Sequence, residues 1–328
     1  MKTLIIGSSG LIGRNLTSKL SEQGESVVCM DLDTNTTPNL DDVELVQGDV
    51  TNYEEVSQII NTHEPDRIVH LAYLVGRGAL QDLSLSLHVN LLGVDNVFRA
   101  SIESSVPRVV WASTLGVYSS IDYEDGLVVT EDSPRPYSPY TAFNTASYYS
   151  ALKHMNEYQA LLYSSREGLD VCAIRPSTVF GPGRYTGYPW VGSFVEDAIA
   201  GKTTDVPMHP DSTFGLVYVD DVVDLFEKVT LAKKLNFDVY NTGGNLISLS
   251  EIAETVNTVL GGNFVPDSSR EPTFQFNISN DRARDEFGYE MAAPMMNINS
   301  LWWNFKMGEF VWTEKNHHLQ LHHLYQNM

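Results

Sequence analysis

Short β-branched runs alternate with longer amphipathic stretches through the first half of the chain. The runs predict strands over residues 3–6, 26–30, 43–46, 67–71, 108–112 and 170–174. Between them, apolar positions at helical spacing predict helices over 11–22, 53–61, 80–104 and 145–166. Parallel strands need crossover connections, and helices supply them, so the alternation implies a parallel sheet covered on both faces. The rhythm breaks over 118–140, where Asp, Glu, Ser, Pro and four tyrosines predict a long loop. Beyond Arg175 the pattern loosens into a turn-rich segment around Pro182, Gly183, Gly187 and Pro189. Further predicted units follow: helices over 194–200, 222–231 and 250–260, with strands over 216–219 and 237–240.

The expected fold class is α/β, a doubly wound parallel sheet with a smaller C-terminal substrate-binding lobe. The expected division gives residues 1–175 to a nucleotide-binding domain, with returns to the main sheet near 214–245. Residues 176–300 form mainly the smaller lobe, and 301–328 a tail.

Composition narrows the partners. The chain has 328 residues, 42% of them hydrophobic, with a formal net charge of −21. Such a surface repels nucleic-acid phosphates and anionic membranes, which leaves a small molecule as the expected partner. Cys29 and Cys172 each sit inside an apolar run, so buried free thiols and a reducing, cytoplasmic location are expected. The opening MKTLIIGSSG has too short an apolar run for a signal peptide, and no stretch approaches the roughly 20 apolar residues a membrane helix needs. His317, His318, His322 and His323 read as part of a polar tail rather than a metal site, and Trp302, Trp303 and Trp312 as its packing onto the body or a second subunit.

The first strand runs into Gly7-Ser8-Ser9-Gly10-Leu11-Ile12-Gly13, and a helix follows. One glycine permits the tight turn, the second lets backbone approach a pyrophosphate, and the third lets helix pack on sheet. The free N–H groups and the positive end of the helix then face the phosphates, with Ser9, Leu11 and Ile12 expected beside the glycines as cofactor contacts. Asp31 closes the second strand, where a carboxylate accepts ribose hydroxyls and repels a 2′-phosphate. That favours NAD over NADP. Asp49 and Val50 follow the third strand, where an acid suits the adenine amino group. Leu71 and Ala72 end the fourth strand at the carboxyl edge where ligands gather, and His70 beside them reads as a satisfied structural histidine.

Tyr149 and Lys153 stand at i and i+4, on one face of a helix. A phenol is a poor base at neutral pH, but a cation close by favours phenolate and makes it a usable acid/base. Among the nine lysines only Lys153 has a tyrosine four residues earlier. Ser113 and Thr114 end the fifth strand and offer hydroxyls to orient a substrate oxygen.

Together these motifs resemble the extended short-chain dehydrogenase/reductase family, the NAD-dependent epimerase/dehydratase group. The resemblance covers residues 1–290 and adds Asn90, Val117-Tyr118, Glu157, Arg175-Pro176, Phe180-Gly181-Pro182-Gly183 and Val219-Asp220-Asp221. It implies a Rossmann fold, NAD as cofactor, Tyr149 as acid/base, Lys153 as its electrostatic partner and Thr114 as the catalytic hydroxyl. It also implies cofactor contacts at Asn90 and Pro176 and substrate contacts at Ser177 and Arg184. A homodimer through the helices near 80–104 and 145–166 is implied as well.

Departures from the family pattern shape the expected activity. Leu115 and Gly116 stand where dehydratases carry an acidic pair, which disfavours dehydration. Phe214 stands where nucleotide-sugar enzymes carry an arginine, and it cannot offer phosphate a bidentate fork; Arg184 or Arg270 would have to substitute. The expectation is therefore an NAD-dependent oxidoreductase acting on a secondary alcohol or ketone of a small sugar-like or polyol substrate. The alternatives are a nucleotide-sugar epimerase and, in another class, a non-catalytic NAD-binding regulator. Asp220 and Asp221 read as a helix start.

Overall fold

The computed structural model describes residues 1–75, 78–118, 126–134, 145–181 and 189–292. Its centre is a seven-stranded parallel sheet. From edge to edge the strands are Val239–Asn241, Val171–Arg175, Arg108–Ala112, Arg67–His70, Lys2–Ile6, Ser26–Asp31 and Val43–Gln47. The order reverses beside Lys2–Ile6, the switch point at which open α/β sheets bind ligands. The expected doubly wound fold is therefore the observed one.

Strand alternation sorts the apolar side chains to two faces. On one face Ile5, Cys29, Val69, Val110 and Cys172 pack against helices Leu11–Glu22 and Val219–Leu231. On the other, Leu4, Met30, Ile68, Val109 and Trp111 pack against Val94, Val97 and Phe98 of helix Gly93–Glu103 and Ala160 of helix Thr145–Glu167. Both cysteines are buried free thiols. Asp220 and Asp221 lie in the first turn of helix Val219–Leu231, as their spacing predicted.

The smaller lobe holds a three-stranded sheet of Asn245–Ser248, Thr213–Tyr218 and Thr178–Phe180, and a parallel pair of Asn263–Pro266 with Thr203–Val206. An aromatic cluster of Phe180, Trp190, Phe194, Phe214 and Phe264 fills it. Within the long expected loop, Val128–Val129 pairs with Asn277–Ile278 and ties the main domain to the later chain.

The single helix expected over 80–104 is instead a series: Gly78–Gln81, Leu83–Leu87, a π-turn at His88–Leu92, and Gly93–Glu103. The Asp82 side chain accepts the Leu85 N–H at 2.9 Å and starts a new helix within an unbroken apolar pattern. The helix expected over 250–260 likewise ends in a π-turn, at Thr255–Val259. No helix among the described residues is long and apolar enough to cross a membrane.

Candidate functional site

The glycine-rich turn leaves the first strand with Gly7 at φ +90°, a conformation that a side chain disfavours. A Cβ on Gly7 would lie 2.4 Å from the Ala72 nitrogen, and one on Gly13 would lie 2.3 Å from the Gly7 carbonyl oxygen. Both glycines are thus required by the turn's own packing. Gly10 is different: its Cβ would meet only the Gly7 oxygen, at an ordinary 3.5 Å, and the position is exposed. Leu11 and Ile12 open the helix, and no side chain caps it or places a carboxylate in its first turn. A shallow, uncapped helix start of this kind fits the pyrophosphate of NAD.

Asp31 sits beside it and accepts the Ser9 N–H through Oδ2 at 2.9 Å, so this N–H, of a residue expected at the cofactor, is engaged within the protein. Ser9 is pinned further: its hydroxyl donates to the Asp33 carbonyl, and its own carbonyl accepts from Thr36 Oγ1 at 3.1 Å. The Asp31 carboxylate fits ribose hydroxyls and opposes a 2′-phosphate. Asp49 accepts the Thr51 N–H at 2.8 Å, and Val50 is buried against Gly93, so the two fix the turn after the third strand. The Leu71 and Ala72 N–H groups both donate to the Ile6 carbonyl, which seats that segment under Gly7.

Tyr149 and Lys153 lie on helix Thr145–Glu167, and the Lys153 Nζ stands 5.9 Å from the Tyr149 ring centre. Nζ donates to the Ala112 carbonyl at 2.6 Å, at the carboxyl end of the fifth strand. Burial pushes the Lys153 ammonium well below its ordinary range, and the Glu157 carboxylate opposes that shift. Nearby, the Thr114 Oγ1 accepts the Gly116 N–H at 3.1 Å, and the Leu115 N–H donates to the Pro176 carbonyl at 3.0 Å. The segment that offers Thr114 is thereby tied to the turn after Arg175.

Several expected contacts are replaced by structural ones. The Ser113 hydroxyl is buried and donates to Glu157 Oε1 at 2.6 Å, so it is not presented to a substrate. Strand alternation turns Ser113 inward and leaves Thr114 at the edge. Asn90 is fully buried: its side chain accepts the Leu74 N–H at 2.8 Å and donates to the Leu74 carbonyl at 3.0 Å. It shapes the backbone after the fourth strand rather than reaching a cofactor. Ser177 donates to the Gly215 carbonyl beneath two glycines, where a Cβ on Gly244 would strike Ser177 Oγ at 2.5 Å. Arg184 and the tail histidines and tryptophans lie outside the described residues.

Sequence reading missed Tyr73 altogether, and it named Arg175 and His70 without the contacts they make or lack. Tyr73 places its ring centre 3.3 Å from the Lys153 Nζ and meets the Tyr149 ring edge to face at 5.7 Å. The cue was its position, three residues past His70 at a strand's carboxyl end. Arg175 donates to both oxygens of Glu157 and also to the Tyr118 hydroxyl, which donates to Asn241 Oδ1. Finally, His70 is not the satisfied histidine expected: among the described residues neither ring nitrogen has a partner. Burial, and secondarily the Lys153 charge, pull its pKa down to about 3. Among the described residues no group of three or more His, Cys, Asp or Glu could hold a metal ion.

Residues 3–243 match the NAD dependent epimerase/dehydratase family. The chain is 30% identical over 237 residues to the UDP-glucose 4-epimerase of Mycolicibacterium smegmatis, covering 69% of this chain and 72% of that protein. It superposes on the UDP-glucose 4-epimerase of Thermus thermophilus in complex with NAD, with TM-score 0.78 at 23% identity over 93% of this chain and 99% of that one. It superposes similarly on a GalE-like L-threonine dehydrogenase from Cupriavidus necator in its holo form, with TM-score 0.76 at 18% identity over 93% and 100% of the two chains.

Proposed function

This chain belongs to the NAD dependent epimerase/dehydratase family, and from that premise we propose that it oxidises or reduces a small sugar-like or polyol substrate at a secondary alcohol carbon. Tyr149 is the acid/base, Lys153 its electrostatic partner, and Thr114 the hydroxyl that orients the substrate oxygen. The observation that supports the reading is the Lys153 Nζ, 5.9 Å from the Tyr149 ring centre and bound to the Ala112 carbonyl, two residues before Thr114 at the sheet's carboxyl edge. NAD, when bound, supplies the hydride acceptor or donor.

In the oxidative direction Tyr149 Oη takes the substrate hydroxyl proton as hydride leaves the same carbon. Lys153, with its Nζ 5.9 Å from the Tyr149 ring centre, lowers the cost of the phenolate through its charge. The Thr114 hydroxyl hydrogen-bonds the same oxygen and holds it in line. In reduction Tyr149 returns the proton.

Two features support a small substrate and oppose β-elimination. Phe214 is 1% exposed and packs edge-on against Trp190 at 5.3 Å, so this position belongs to the lobe's core and offers nothing to a pyrophosphate. Gly116 has Ser150 Oγ 2.8 Å from where its Cβ would be, so an acid there would have to displace Ser150.

The relatives' names favour a second reading, in which the hydride returns to the opposite face of the sugar and the net reaction is epimerisation. A panel of alcohols, polyols and UDP- and GDP-sugars, followed for NADH and for isomerised product, separates the two. Net NADH formation supports the first reading; isomerised sugar without net NADH overturns it. A Tyr149→Phe variant that kept full turnover would remove the catalytic assignment of Tyr149, whereas NAD binding with no turnover on any member of the panel would favour a non-catalytic NAD-binding regulator. The free thiols support a reducing, cytoplasmic setting, and the exposed side chains of Met155, Tyr158 and Leu162 on helix Thr145–Glu167 support pairing with a second copy.

A further inference from the structure

We propose that Tyr73 is a positioning residue for Lys153: the face of its ring holds the ammonium against the Ala112 carbonyl and keeps it charged. The inference rests on the reading of Tyr149 and Lys153 as the working pair. It adds to that pair a third member, an aromatic ring, that governs how the pair is poised.

The geometry is close and complete. Nζ stands 3.3 Å from the Tyr73 ring centre and 2.6 Å from the Ala112 oxygen, so ring and carbonyl both contact the cation. The negative face of an aromatic ring attracts a cation, and more strongly once water is excluded. Lys153 is buried, and loss of hydration is the largest influence on its charge. That charge therefore needs local support of a kind that a neutral group can give.

The ring is itself held in place. The Tyr73 hydroxyl donates to Asn156 Oδ1 at 3.1 Å, and Asn156 Nδ2 donates to the Asn90 carbonyl at 2.9 Å. The next residue, Leu74, is gripped by the Asn90 side chain at both its N–H and its carbonyl. Asn90, expected at the cofactor, thus acts through Tyr73. The same ring meets Tyr149 at 88°, so one side chain touches both members of the pair.

Among the described residues, the groups facing Nζ from the packed elements are few. His70 and the Trp111 ring come from the adjacent strand ends, and Tyr149 and Glu157 from its own helix. His70 is neutral at ordinary pH, and burial pushes the Tyr73 phenol up, so that it too stays neutral. Ring and carbonyl then join the Glu157 charge as counterweights to the desolvation of Lys153.

The test reads the titration of Lys153 directly, in full-length protein with and without NAD. Isotope-labelled lysine is followed by NMR, with Lys153→Arg to assign the signal. Tyr73→Leu should lower the Lys153 pKa by about one unit, while Tyr73→Phe, which keeps the ring, should leave it near the wild-type value. Pentafluorophenylalanine at position 73 keeps the shape but reverses the ring's polarity. It should shift the pKa at least as far as Leu, and it serves where Leu fails to fold. A Lys153 titration unmoved by the fluorinated ring overturns the proposal, as does a Phe variant that shifts as far as Leu. Because no substrate is needed, this result stands apart from the fate of the proposed reaction. Where turnover is available, the pH profile of kcat should move with the Lys153 pKa while KM stays constant.

Discussion

Glu157 receives Arg175 at two points, Nε on Oε1 and Nη2 on Oε2, each at 2.8 Å, while Ser113 donates to the same Oε1 at 2.6 Å. Both charged groups are buried. Burial opposes the Arg175 charge, but the hydrogen bonds and charge of Glu157 hold its guanidinium above its ordinary value. Removing one partner strands the other charge. Arg175→Met should therefore cost about 3–5 kcal/mol of stability in urea unfolding. The double variant Arg175→Met, Glu157→Leu should be more stable than Arg175→Met alone, because no charge is left behind. Equal losses in the single and the double would show that the pair is not coupled.

Gly10 and Gly13 make opposite predictions from one turn. Alanine at Gly13 would drive its Cβ to 2.3 Å from backbone, so it should destabilise the fold. Alanine at Gly10 meets nothing closer than 3.5 Å and should leave the melting temperature unchanged. Its methyl would instead occupy the approach of the pyrophosphate, weakening NAD binding by about tenfold or more, ~1.4 kcal/mol. Calorimetric titration with NAD, beside a thermal melt, checks both. A Gly10→Ala protein that binds NAD as tightly as wild type would place the pyrophosphate elsewhere.

What could be read in the sequence was whatever local geometry dictates. The glycine turn announces itself because backbone conformation and close packing demand those residues. Tyr149 and Lys153 are legible because helical periodicity brings i and i+4 together. Tyr73 was not legible as a partner of Lys153, because a loop after one strand carries it to a helix far along the chain, and no spacing rule spans that distance. Ser113 and Thr114 were given one role, though strand alternation separates them into a buried link to Glu157 and an edge hydroxyl. The helix expected over 80–104 failed for a different reason. Its leucines keep the apolar pattern running through Asp82, and only the cap hydrogen bond to Leu85 shows the break. In the smaller lobe, strands such as Thr178–Phe180 and Asn263–Pro266 are too short for alternation to register.

His70 predicts how stability responds to acid. Its folded pKa, about 3, lies below the ordinary value of 6.5. Above that ordinary value both folded and unfolded states hold a neutral imidazole, and His70 contributes nothing to the pH dependence. Below it, the unfolded chain takes up a proton that the folded chain refuses until about pH 3. Stability is therefore lost between those limits, by at most about 1.4 kcal/mol per pH unit from this group. Urea midpoints of wild type and His70→Leu, compared across that range, should diverge in slope, with the variant flatter. Parallel curves would mean that the buried imidazole titrates normally.

The final prediction concerns a second copy of the chain. Met155, Tyr158 and Leu162 fall at i, i+3 and i+7 on helix Thr145–Glu167 and are half or more exposed, with Leu87 and Leu92 exposed on the preceding helical series. Burying such side chains contributes roughly 1.5–3 kcal/mol each, and a two-fold interface counts each residue twice. Lys153 on the same helix is buried, turned away from this face. Leu162→Asp together with Tyr158→Asp should therefore convert a dimer to monomers in sedimentation equilibrium while NAD binding persists, since the charges fall on the opposite side of the helix from the site. Wild-type protein that sediments as a monomer at micromolar concentration would leave this apolar face without the partner assigned to it, and loss of NAD binding in the double variant would mean that the two sides of the helix are not independent.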